Sequence, residues 1–208
     1  MHNRFLWLGI YLLVLVWSVI QPKDQFTWWL EAIPALVALP ILMFSRSRFP
    51  LTPLAYGLIL FHCCILFVGA HYTYAEVPLF DTIAQWMGEE RNNYDKVGHF
   101  TQGFVPAILA REIMLRNQAV KPGGWCAFLV TCFVLAFSAF YELIEWWVAA
   151  ATGEGAEAFL GTQGYVWDTQ SDMFMALIGA IVALVCLSRL HDRQINQLVS
   201  VNHEMPRT

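Results

Sequence analysis

The sequence predicts an all-α membrane protein, a polytopic bundle of six transmembrane helices, and three observations carry that expectation. Apolar residues make up 58% of the 208 positions and charged residues only 13%, against roughly 45–50% and about 25% in soluble domains. Six runs are long enough, at about 1.5 Å per residue, to cross a hydrocarbon layer of about 30 Å. Lys and Arg fall unevenly between the loops that join those runs, as the positive-inside rule requires of a multi-pass chain. No linker or shift in composition marks a second unit, so residues 1–208 read as one integral membrane domain.

The first run, 5–21, ends in "SVIQPK", which lacks the small residues of a cleavage site, and is expected to stay as a helix. The second and third, 27–44 and 51–71, follow after short connections. A longer connection, "HYTYAEVPLFDTIAQWMGEERNNYDK", then carries Pro78, which can open a short helix with Leu79, Phe80, Ile83, Trp86 and Met87 on one side. That pattern predicts an amphipathic helix lying on the outer interface. The fourth, fifth and sixth runs are 96–115, 124–149 and 169–189. Before the sixth, Gly153, Gly155, Gly161 and Gly164 permit a tight re-entry.

With the N-terminus cytoplasmic, the inner side holds Arg4, Arg46, Arg48, Arg111, Arg116, Lys121, Arg189, Arg193 and Arg207, and the outer side only Lys23, Arg91 and Lys96. Both termini are therefore expected in the cytoplasm. Trp28, Trp29, Trp146, Trp147 and Trp167 all fall at expected outer interfaces, where their amphipathic rings anchor. The net charge of -4 conceals a polarised molecule whose acidic side faces outward. The basic residues are too dispersed for a nucleic-acid surface. Cys63, Cys64, Cys126, Cys132 and Cys186 lie within the runs and form no CxxC pair, which reads as small buried hydrophobes.

Polar residues inside the runs carry the functional reading. Asp95 and His99 are four apart in "YDKVGHFTQGF", Glu142 and Glu145 three apart in "SAFYELIEWW", and Asp168 and Asp172 four apart in "WDTQSDM". Each spacing places a pair on one helical face. All three pairs fall near the outer ends of their runs, hence at one membrane depth. A lone ionised side chain in a bilayer costs about 2.5–3.5 kcal/mol even on a lenient scale, and crowded like charges add to that. Compensation must come from a cation, shared protons, water, or Lys96 and Arg91 as counter-ions.

One imidazole with several carboxylates is a nitrogen and oxygen shell suited to Zn, Mn or Fe and compatible with Mg, while the absence of thiolate speaks against a closed structural zinc site. In the leading reading His99, Glu142, Glu145 and Asp168 are metal ligands, Asp95 or Asp172 is a general base or supports a ligand, and Arg91 or Lys96 contacts an anionic substrate. The partner is then a lipid or lipid-linked molecule reached from the bilayer. A proton-coupled or cation-coupled transporter uses the same residues, but the run below Gln102, "GFVPAILA", is apolar until Arg111. A scaffold without catalysis, in which the cluster holds helices together, is the third alternative. Glu31 and the outer-end residues His71, Tyr72 and Tyr74 could border the cluster, whereas His62 stands alone midway along the third run.

The order "YDKVGHFTQGF", "YELIEWW" and "GTQGYVWDTQSDM" followed by "GA" resembles the YjdF-like family of bacterial inner-membrane proteins, over nearly the whole chain. That resemblance implies six helices and residence in the inner membrane, and it implies no substrate. More remotely, "DKVGHF", a glutamate in the next run and two aspartates in the last are similar to VanZ-like membrane proteins, which are associated with glycopeptide-antibiotic resistance. A role at envelope lipid or cell-wall precursors is what that similarity implies, with Glu145 standing where an amide is expected.

Overall fold

The computed structural model describes residues 4–152, 157–160 and 162–204, and all its regular structure is helical. The helices are α1 (Arg4–Val19), α2 (Gln25–Ser45), α3 (Pro53–Tyr72), α4 (Pro78–Met87), α5 (Tyr94–Arg116), α6 (Gly124–Thr152), α7 (Glu157–Leu160) and α8 (Asp168–Glu204). Four of them, α2, α3, α6 and α8, are long and apolar enough to cross a membrane, and α1 is apolar but shorter. α5 has the length, with 23 residues, but carries Asp95, Lys96, Arg111, Glu112 and Arg116. It tolerates them because it packs against α3, α6 and α8 at once, so protein rather than lipid surrounds its polar side.

Local chemistry sets the helix ends. Asp24 caps α2, its Oδ1 accepting from the Thr27 N–H at 2.6 Å, and that hydrogen bond holds its carboxyl below the usual range. Thr52 caps α3 in the same way, with Pro53 at the first helical position. α8 runs for 37 residues, well past the expected end at 189, because no Pro or Gly interrupts the stretch from Ser188 to Glu204.

The tightest seam joins α5 to α8. A Cβ built on Gly103 would lie 1.8 Å from the Ala176 carbonyl oxygen, and one on Gly179 would lie 2.0 Å from that of Phe100. Ala107, Ala110, Ala180 and Ala183 extend the seam inward, all buried. Small residues at this spacing let two backbones meet, the packing that replaces the hydrophobic effect where the surroundings are lipid. A second core joins α1, α2 and α3, in which the Tyr11 hydroxyl donates to the Ala35 carbonyl at 2.9 Å.

Consecutive long helices alternate in direction. His71 at the end of α3 meets Ser18 at the end of α1, while Thr52 before α3 meets Glu112 near the end of α5. At that second end Glu112 is fully buried and accepts from the Thr52 N–H at 2.9 Å, the Thr52 hydroxyl at 2.7 Å and Arg116 at 2.9 Å. His191 Nε2 lies 3.0 Å from Glu112 Oε2, the oxygen that also accepts from the Thr52 hydroxyl, and Arg111 bridges His191 and Asp192. The extension of α8 is thus fastened to α3 and α5 through the buried His191 and a partnered polar network.

Some expectations need correction. Trp28 is buried and donates to the Ser18 hydroxyl, so it is a core residue, whereas Trp29, Trp146, Trp147 and Trp167 are exposed. Cys132 and Cys186 are exposed while Cys63 and Cys126 are buried. The Pro78 helix is present as α4, with Leu79, Trp86 and Met87 outward and Phe80 turned in against Tyr94. Of the glycines before α8, Gly164 has φ 79 and supports the turn, and Gly153, Gly155 and Gly161 lie outside the described residues.

Candidate functional site

α5, α6 and α8 bring their polar pairs together at one end of the bundle, and His99 stands at the centre. Its Nε2 lies 3.3 Å from Asp95 Oδ1, one turn earlier on α5, and 3.9 Å from Asp172 Oδ1 on α8. Its Nδ1 lies 3.8 Å from Glu142 Oε1 on α6 and 3.0 Å from Gln102 Oε1. Two groups of ligand atoms, Asp95 with His99 and Asp172, and His99 with Glu142 and Glu145, each lie within 4.8 Å of one another. Asp95, His99, Glu142, Glu145, Asp168 and Asp172 are all at most 9% exposed. The buried Glu142 Oε1 finds no hydrogen-bond partner among the described residues.

The basic residues sit on the other side of the cluster. Lys96 Nζ donates to Asp168 Oδ1 at 2.7 Å and Asp172 Oδ1 at 2.6 Å. Arg91 donates to Asp168 Oδ1 at 2.6 Å and lies 3.7 Å from Asp95 Oδ2. Asp168 therefore pairs with both Arg91 and Lys96 and belongs to neither group of close ligand atoms around His99. Both cations are engaged with these carboxylates, and the Tyr165 ring covers them, 5.4 Å from the Arg91 guanidinium and 5.8 Å from Lys96 Nζ.

What holds that cover in place has no signature in local spacing. The Asn92 N–H donates to Gln163 Oε1 at 2.9 Å, and Gln163 Nε2 returns a bond to the Asn92 carbonyl at 2.8 Å. Asn92 also donates to the Val77 carbonyl and Asp81, which ties α4 to the same corner. The reciprocal amide pair spans 71 residues of chain, and no local spacing reports a contact of that separation.

On the side away from Lys96 the cluster opens into a cavity of about 550 Å³ lined by Glu31, Tyr74, Asp95, His99, Tyr141 and Glu145. His62 lines it further in, its Nε2 without a partner among the described residues. Beyond His62 the wall is apolar, with Val37, Ile41, Leu42, Ile59, Leu109 and Ile113. Pro34 in α2 and Pro106 in α5 both border the cavity, each removing a helical hydrogen bond where the helices part. The Tyr74 ring is wedged against Gly69 and Gly98, where any side chain would collide with it. Six carboxylates, Glu31 among them, gather here against Arg91 and Lys96 as the permanent cations that reach them among the described residues. The His99 side of the cluster therefore needs a further positive charge, supplied by a proton or by a metal ion.

Comparison with known proteins bears on the whole chain. Residues 3–193 match the family described as "Predicted membrane protein (DUF2238)". The chain is 51% identical over 185 residues to "Inner membrane protein YjdF" of Escherichia coli (strain K12), covering 89% of this chain and 88% of that protein. No solved structure matches.

Proposed function

The chain belongs to the DUF2238 family of predicted membrane proteins, and on that premise we propose that it is an inner-membrane protein holding a divalent cation at His99, beside a cavity that receives lipid. In this reading α1, α2, α3, α5, α6 and α8 all cross the bilayer, both termini are cytoplasmic, and α4 lies on the periplasmic interface with Leu79, Trp86 and Met87 toward lipid.

The observation that carries the proposal is the unpartnered, buried Glu142 Oε1 beside His99 Nδ1. A carboxylate oxygen with no donor inside a bundle costs several kcal/mol in order of magnitude unless a cation meets it. Glu142, Glu145 and His99 Nδ1 are the ligands, Nδ1 giving up the contact it makes with Gln102 Oε1 at 3.0 Å, and the Nε2–H donates to Asp95, the carboxylate that fixes the ring. Asp172 shares Lys96 with Asp168 and stands ready to take a proton beside the ring. A divalent ion there supplies Lewis acidity toward a phosphoryl or carbonyl oxygen. Arg91 and Lys96, held by Asp168, set the potential at the outer edge and steer an anionic headgroup toward it.

The apolar inner wall of the cavity favours a lipid tail over a hydrated ion, which ranks binding of, or action on, an envelope lipid or lipid-linked precursor above cation-coupled transport and above a scaffold role. Metal analysis of the purified, detergent-solubilised protein tests the site. Wild type and Asp168→Asn should retain Zn, Mn, Fe or Mg in stoichiometric amount, and His99→Ala should lose it. Glu142→Gln should weaken retention on the order of tenfold or more. A folded wild type that neither carries nor takes up any of these ions would overturn the reading.

A further inference from the structure

At the opposite end of the bundle, α1, α2 and α3 and the tail of α8 border a second and larger cavity, of about 1100 Å³, which is open on one side. Its walls are apolar, with Ile10, Leu39, Leu42, Met43 and Leu60 facing the space, and Arg4 and Arg46 stand at its edge. Among the described residues no carboxylate lines it. Neither arginine pairs with a carboxylate among the described residues. The Arg4 guanidinium lies 4.9 Å from the Phe5 ring centroid and that of Arg46 lies 6.0 Å from Tyr56. Their neighbours differ: Arg111 is paired with Asp192, and Arg116 with Glu112.

We propose that this cavity is a binding site for an anionic phospholipid, its phosphate held by Arg4 and Arg46 and its tails laid along α1, α2 and α3. The charge is complementary, two cations that pair with no carboxylate among the described residues and face an apolar space. The volume lies just above the roughly 300–1,000 Å³ range of small-molecule pockets, room for acyl chain and far more than a free anion fills. Basic pockets between helices at the cytoplasmic side select acidic headgroups by this chemistry. The site lies at the far end of the bundle from His99 and does not depend on metal there.

Native mass spectrometry of the purified full-length protein, mixed with equal amounts of dioleoylphosphatidylglycerol and dioleoylphosphatidylcholine, is the test. Wild type should retain phosphatidylglycerol selectively, and so should His99→Ala. The double variant Arg4→Gln with Arg46→Gln should lose that preference on the order of tenfold or more, while Arg46→Lys should keep most of it. Arg48→Gln removes a charge of the same end that does not line the cavity and should leave retention unchanged. Equal retention of the two lipids by wild type overturns the proposal. So does a loss in Arg48→Gln as large as in the double variant, which would reveal only a diffuse basic surface. Competition by free glycerol 3-phosphate at matched concentration would also overturn it, by showing that the tails contribute nothing.

Discussion

Single residues in this protein are legible where their partner is near in sequence. Asp24 is the plainest, a capping aspartate three residues before the N–H it accepts. Asp24→Ala should destabilise the protein by about 1 kcal/mol at neutral pH, read from thermal unfolding in detergent. The carboxyl is held below its ordinary value by that hydrogen bond. Its contribution is therefore fully present above the unfolded pKa of about 3.9 and is lost as pH falls through the lower folded value. Wild type and variant should converge in acid. Asp168 shows the opposite case. Its spacing with Asp172 marked it for the polar cluster, but the distinction between a ligand and a partner for Arg91 and Lys96 depends on which way the α8 face turns, and helical spacing does not set that.

Elements were legible through period and composition, and their bounds moved by only a few residues except for α8. The expected end at 189 follows the end of apolar sequence, yet helix continues because Ile195 and fully buried His191 still face the bundle. The contact of α5 with α8 was written in Gly103, Ala107, Gly179 and Ala183 but needed the partner to be read, since small residues alone also occur on lipid-facing sides. Gly103→Ala and Gly179→Ala should each cost about 2–3 kcal/mol, because the colliding atoms are backbone and cannot step aside. Gly9→Ala, with nothing within 4 Å of its added carbon, should be neutral or stabilise by about 0.5–1 kcal/mol. Denaturation midpoints of the three variants compare them directly.

At the scale of the whole molecule the alternation of helices and the distribution of Arg and Lys give one topology to check. A cysteine placed at Glu90 should react with a membrane-impermeant maleimide in intact spheroplasts, and one at Lys121 only after lysis. The native Cys132 and Cys186, exposed on apolar helix faces, should stay unlabelled in both. The reverse pattern would invert the orientation. The convergence of three polar pairs at one end of the bundle was readable from spacing and run length. The network around Glu112 was not, because its partners Thr52 and His191 are 60 and 79 residues away and a lone glutamate near a helix end looks like an interfacial group.

The burial of the charged helix α5 between apolar neighbours also constrains how the protein is made. The start of α5, Tyr94, leaves the ribosome 74 residues before the start of α8, Asp168, which at about 5–20 residues per second is a delay on the order of ten seconds. For that interval Lys96 has neither Asp168 nor Asp172, and Arg111 has neither His191 nor Asp192. On the proposed six-span topology, α5 enters the bilayer only if the insertion machinery, or α3 beside it, shelters its polar face until the last helix arrives. Assembly is therefore concluded by the final segment to be synthesised, and a chain truncated before α8 would present quality-control proteases with an uncovered charged helix.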